Sequence, residues 1–126
     1  MKTLILCSAF FTSFFFVQND LADISDALRQ GDVNTLSYYM DSQVEINIGR
    51  VDDVYDKEKA VKVLDSFFAK YRPSSFKKLH HGSSNSRSMK YYIGILKTNA
   101  GSFRSTILLE QKNGKMLIKQ FSLERA

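Results

Sequence analysis

Pro73 is the only proline in the chain, and the hydrophobic periodicity changes there. After it come four stretches, SFKKLHHG, KYYIGILKT, SFRSTILLEQ and KMLIKQFSLE, rich in β-branched, aromatic and leucine residues and separated by turn residues. Before it, DKEKAVKVLDSFFAKY sets Ala60, Val63, Leu64, Phe67 and Tyr71 on one helical face, with Lys57, Lys59, Lys62 and Asp65 mostly opposite. A proline pushes the preceding residue out of the helical region, so this helix must end at the Pro73 boundary. Helices segregated from a run of strands define an α+β domain. The economical way to bury both apolar faces is a long helix wrapped by a strongly curved antiparallel sheet.

The residues preceding the long helix fit the same plan. In DLADISDALRQGD, Leu21, Ile24 and Leu28 share a helical stripe that Gly31 terminates. Asp32 is placed to cap a second helix, VNTLSYYMD, whose stripe is Val33, Leu36 and Met40. SQVEINIG then alternates Val44, Ile46 and Ile48 with polar residues, the period of a half-buried strand, and RVDDVY can pair with it. Asn113-Gly114 is the clearest hairpin turn, because both residues tolerate the positive φ of a type I′ turn. Asn99-Ala100-Gly101 makes a second connection, and Ser83 to Ser88 a longer third.

The first 19 residues are expected to be a secretory signal peptide: Lys2 precedes an apolar run from Leu4 to Val17, which is shorter than the ~20 residues of a spanning helix. Cleavage near Asn19 would leave residues 20–126 as a single domain, periplasmic or extracellular, and would remove Cys7, the only cysteine. Without a thiol, disulfides and cysteine zinc sites are excluded from that domain, and packing alone must hold it. The net charge of +5 falls by the one unit that Lys2 carries, a mild basic excess that bears on solubility rather than fold.

The stretches RQGDVNTLSYYMDSQVEI and VYDKEKAVKVLDSFFAKYRPSSF, followed by the strand meander, resemble the nuclear transport factor two-like superfamily, a cystatin-like, cone-shaped α+β fold. More narrowly, FFAKYRPSSF, HHGSS, YYIGILKTNAGSFR and IKQFSLE look like a domain-of-unknown-function subgroup of small exported proteins from Bacteroidetes-type organisms, over roughly residues 20–124. The resemblance implies the fold. It leaves function open, because this superfamily hosts isomerases, dehydratases, binding modules and dimerisation domains alike.

Enzymes of the resembling fold work inside the cone, with an acid or histidine as general base and a tyrosine or second acid as donor. Tyr38, Tyr55, His80, His81 and Tyr91 are the ligand-pocket candidates here, with Tyr39, Asp41 and Tyr92 as further ingredients. Set against this, tyrosines in a chain without tryptophan serve as amphipathic core and rim residues. Phe67, Phe68, Leu79, Ile93 and Phe121 are large enough to fill the cone. Asp41 reads as a capping residue and Asp52-Asp53 as turn residues. His80 and His81 are neighbours in a strand and point to opposite faces, so they cannot hold one ion together, and no third histidine exists. Neither a metal nor a cofactor is expected.

Lys70, Arg72, Lys77, Lys78, Arg87 and Lys90 interleave with Tyr71, Phe76, Tyr91 and Tyr92, a composition used for single-stranded nucleic acid. For an exported protein nucleic acid is not the expected partner, and lysines along strand edges also deter aggregation. Anionic glycans, lipid head groups or an acidic partner are better counterparts, and salt-sensitive binding to anionic vesicles would mark a membrane-surface module. Arg104, on the opposite strand face from Phe103, Ile107 and Leu109, is the candidate interface residue. The expectation is thus an exported, non-catalytic binding or interaction module, able to homodimerise, for a small molecule or protein. The rival is a small-molecule isomerase or dehydratase with its pocket inside the cone.

Overall fold

A computed structural model describes residues 20–83 and 88–126. Residues 1–19, on which the expected signal peptide and Cys7 fall, and Arg87 in the third connection lie outside the described residues. Among the described residues, three helices and six strands follow one another as α1 (Asp20–Gln30), α2 (Val33–Tyr38), β1 (Met40–Ile48), β2 (Val51–Asp56), α3 (Lys57–Lys70), β3 (Pro73–Ser83), β4 (Met89–Thr98), β5 (Gly101–Lys112) and β6 (Lys115–Arg125). The helices pack on one face of a curved, unclosed sheet with strand order β2-β1-β6-β5-β4-β3. Among the described residues, no helix is long and apolar enough to cross a membrane.

Local chemistry sets the boundaries. Asp32 caps α2, accepting a hydrogen bond from the Thr35 backbone N–H at 3.2 Å, and Asp56 does the same for α3 through Lys59 at 2.8 Å. Asn113 and Gly114 adopt φ of 51° and 74°, the two positive values of the expected hairpin turn. Pro73 is the first residue of β3, a position where its missing N–H costs no ladder bond.

The sheet departs from the sequence reading at β1 in two ways. Met40 belongs to β1 and not to the second helix: it pairs with Ile118 of β6, and the Ile118 N–H donates to the Tyr39 carbonyl at 2.6 Å. Strand pairing therefore outcompetes the helical stripe. The β1–β6 pairing is also parallel, whereas every other pairing in the sheet is antiparallel. Bulges between Lys78 and His80 in β3, opposite Leu108 and Leu109 in β6, and after Met40 in β1 supply bending and extra twist to the sheet.

The core lies between the helices and the inner sheet face. Ile24, Leu28, Leu36, Leu64, Ile107 and Phe121 are among its fully buried side chains. α3 contributes Phe68 as well as the expected Ala60, Leu64 and Phe67. Gly94 leaves room for the Phe76 ring, which a Cβ at that position would overlap. Leu79 and Ile93 do not help fill this interior. The bulge at Lys78–His80 keeps Leu79 on the outer face, 52% exposed, and Ile93 is half-buried on that face too.

Ser105 interrupts the apolar interior. It lies on the inner face of β5, in register with Gly94 and Leu123, fully buried, and its hydroxyl has no hydrogen-bond partner. A buried unsatisfied hydroxyl costs more than the cavity its removal leaves. Ser105→Ala is expected to raise unfolding free energy by about 1 kcal/mol in urea denaturation. A loss of similar size would instead reveal a hydrogen bond to that hydroxyl.

Candidate functional site

The candidate tyrosines and histidines are distributed over separate places. Tyr38 ends α2, 60% exposed, with the Lys115 ammonium 4.0 Å from its ring centroid. Its neighbour Tyr39 is buried and donates its hydroxyl to Asp23 at 2.7 Å, tying α1 to the start of β1. Burial and the Asp23 bond push the Tyr39 phenol well above its usual range, so it stays protonated. Tyr55, on β2, packs against the core beneath Lys59.

His80 and His81 face opposite sides of the sheet, as strand alternation requires. On the outer face, His80 Nε2 and the Tyr91 hydroxyl lie 3.1 Å apart, and the Tyr91 ring covers Gly82 so closely that a Cβ there would overlap it. On the inner face, His81 sits 6.0 Å from the Tyr92 ring, which Lys78 also approaches at 5.6 Å. Both histidines are exposed. Among the described residues, no group of three histidine, cysteine or acidic side chains is placed to hold a metal ion.

Asp41 neither caps a helix nor faces the interior. It lies on the outer face of β1, where its carboxylate accepts hydrogen bonds from Lys119 at 2.7 Å, Lys112 at 3.1 Å and the Ser42 backbone N–H at 2.7 Å. The Lys119 bond is the main reason its carboxyl is held well below the usual carboxylate range. Asp52 and Asp53 are strand residues of β2 and not turn residues; the turn falls at Gly49, whose φ is 58°.

Two surfaces bring chemistry together. The first is the outer sheet face. Tyr91, Ile93, Ile95 and Leu108 are half-buried there, and Leu79 and Val54 are more than half exposed. Tyr91, Ile93, Ile95 and Leu108 lie between Lys77 and Lys97 on the β3–β4 side and Glu45 and Asp52 on the β1–β2 side, with Leu79 and Val54 out on the edge strands β3 and β2. Arg104, exposed in β5, is opposite Glu124 in β6 and Ile95 in β4.

The second is a cleft of about 460 Å³ where α3 and the strand ends meet. Ile48, Phe67, Phe103 and Leu123 give it apolar walls, and Tyr71, Glu124 and Arg125 line its rim. The Arg125 guanidinium lies 5.6 Å from the Tyr71 ring centroid and 5.2 Å from that of Phe103, while Nη1 donates to the Ala100 carbonyl at 3.1 Å. The Lys70 ammonium and, secondarily, the Arg125 guanidinium beside the Tyr71 phenol hold its pKa below the ordinary value. Arg125 was legible in principle. The alternation that turns Phe121 and Leu123 inward also places Arg125 on that face, one step past the core.

The family profile of a domain of unknown function, DUF4783, matches residues 21–124. A DUF4783 family protein from Bacteroides ovatus is 28% identical, with a TM-score of 0.79 over 83% of this chain and 94% of its own. One from Bacteroides fragilis is 26% identical, with a TM-score of 0.77 over 82% and 96%. An NTF2-like protein from Cytophaga hutchinsonii shares the fold at 12% identity, with a TM-score of 0.64 over 87% and 95%. No functionally curated protein matches the chain. With the family profile spanning every element but the first residue of α1 and the last of β6, the chain belongs to the DUF4783 family and has the NTF2-like fold.

Proposed function

We propose that this protein is an exported, non-catalytic interaction module in which the outer sheet face binds a second copy of the chain. The observation that carries the reading is the filled interior: Phe121, Ile107, Leu64 and Ile46 are fully buried where an enzyme of this fold would keep its pocket. Among the described residues, no carboxylate or imidazole is buried there to act as a general base. The isomerase or dehydratase reading thus lacks a support that the interaction reading has.

The outer face suits self-association. Its apolar centre is flanked by cations at one side of the sheet and acids at the other. A two-fold axis between β5 and β6 lays the Lys77–Lys97 side of one copy on the Glu45–Asp52 side of the next, the self-complementarity that an isologous dimer requires. Arg104 lies near that axis.

The full chain, expressed with its own leader in a bacterial host, tests both halves. Recovery of the product from the periplasm or medium, starting near Asp20, supports export; a product retained in the cytoplasm with its leader overturns it. Light scattering should return the mass of two copies, with dissociation favoured by salt because the flanking charges are exposed. The axis lays Arg104 of one copy over Glu124 of the other, so Arg104→Glu replaces an opposite-charge contact by a like-charge one and should weaken the dimer by about tenfold or more. A monomer at all concentrations, or a dimer indifferent to Arg104→Glu, counts against this interface.

A further inference from the structure

We infer that the cleft at the end of α3 is a binding site for an amphipathic carboxylate, a small molecule with an aromatic or short aliphatic body and an anionic head. Its volume of about 460 Å³ lies in the range of small-molecule sites, about 300 to 1,000 Å³. So does its composition, an apolar pocket with a few converging polar groups.

The walls select the body. Phe67 and Phe103 stand edge to face with ring centroids 5.1 Å apart, and Tyr71 lies 5.0 Å from Phe67 and 5.1 Å from Phe103. Three mutually packed aromatic rings beside Ile48 and Leu123 present a surface that an aryl or alkyl group can cover. On the other side of Phe67 and Tyr71, a second apolar hollow of about 360 Å³, lined by Val51 and Val63, extends that surface.

The rim selects the head. Arg125 spends one donor on the Ala100 carbonyl, which fixes the guanidinium at the mouth and leaves the rest of its planar fork for a ligand. A planar fork matches a carboxylate bidentately, and apolar surroundings strengthen the bond. Lys70, 5.3 Å from the Tyr71 ring centroid, adds a second cation beside the phenol. Glu124 is the one acid on the rim; it is opposite Arg104 in register, on the far sheet face from Arg125. Cations therefore outnumber acids at the mouth, so the site favours an anion over a cation of the same shape. Glu124 is the one charge common to this rim and the proposed dimer face; the three rings, Arg125 and Lys70 lie off that face, so the two readings stand or fall separately.

Calorimetric titration of the purified exported chain with phenylbutyrate and with its neutral isostere phenylbutanamide tests the assignment. Phenylbutyrate should bind saturably and at least tenfold more tightly than the amide. Arg125→Gln should bring the acid down to the affinity of the amide, while Arg104→Gln on the opposite face leaves it unchanged. Lys70→Gln, at an exposed position, should weaken the acid selectively and serves if Arg125→Gln does not fold. Equal affinity for acid and amide, no binding of either, or a preference that survives both Arg125→Gln and Lys70→Gln overturns the inference.

Discussion

Phe121→Ala is expected to remove about 3–5 kcal/mol of unfolding free energy, a large share of the roughly 5–15 kcal/mol that holds a domain of this size. Phe121 occupies an inner strand of the sheet, paired in register with Ile46 of the parallel neighbour β1 and Ile107 of the antiparallel neighbour β5. All three are fully buried. The ring therefore fills the space where α3 closes on the sheet, and neighbours anchored on two different strands cannot all collapse into the void. Urea denaturation should show the midpoint falling with an unchanged m-value, the mark of lost stability rather than of a changed unfolded state. Phe121→Leu, which keeps most of the volume, should cost far less. A loss below about 1 kcal/mol for the alanine variant would mean that the interior has slack, and would reopen the enzyme reading.

That prediction rests on features that a linear reading of the sequence could reach. The 3.6-residue stripe of α3, the alternation in β1, β5 and β6 and the Asn113-Gly114 turn each follow from local chemistry, and local chemistry suffices where a segment's neighbours agree with it. It failed where the deciding partner was remote in sequence. Met40 continues the helical stripe of Val33 and Leu36, yet β6 claims it for the sheet. Leu79 has the hydrophobicity of a core residue, but its orientation is set by a bulge that exists only in relation to β4, and counting by twos across a bulge assigns the wrong face.

The candidate sites divide in the same way. The opposite orientations of His80 and His81 followed from alternation alone, and so did the placement of Arg104 on the outer face. The cleft around Arg125 was harder to see because its parts come from the end of α3, the end of β1, the start of β5 and the end of β6. No single stretch of sequence holds more than two of its rings. Asp41 is a similar case, since Lys112 and Lys119 lie 71 and 78 residues away from it.

Asp41 carries the second large effect. Its carboxylate is 12% exposed and is shared by two ammonium groups, with Glu110 3.8 Å from Lys119 completing the cluster. Hydrogen bonds to a charged group contribute about 1.5–3 kcal/mol each in favourable settings. Lys112 and Lys119 are 45% and 31% exposed, so solvent screening reduces their share, and Asp41→Asn should cost about 1.5–3 kcal/mol in all at neutral pH. The pH dependence follows from the direction of the shift. The folded state holds the carboxyl below its unfolded value, so the folded state binds fewer protons in that range and the contribution is fully present above about pH 4. As the pH falls below about 4, the unfolded chain takes up the proton first and the stabilisation drains away. Lys112 is shifted upward by the same pair, so its share is lost at the other extreme, as the pH rises beyond about 10.4. Denaturation of the wild-type and Asp41→Asn proteins at a series of pH values should show a stability gap that is constant near neutrality and narrows below about pH 4. A gap that stays the same down to pH 3 or so would assign the loss to packing around Asp41 and not to its charge.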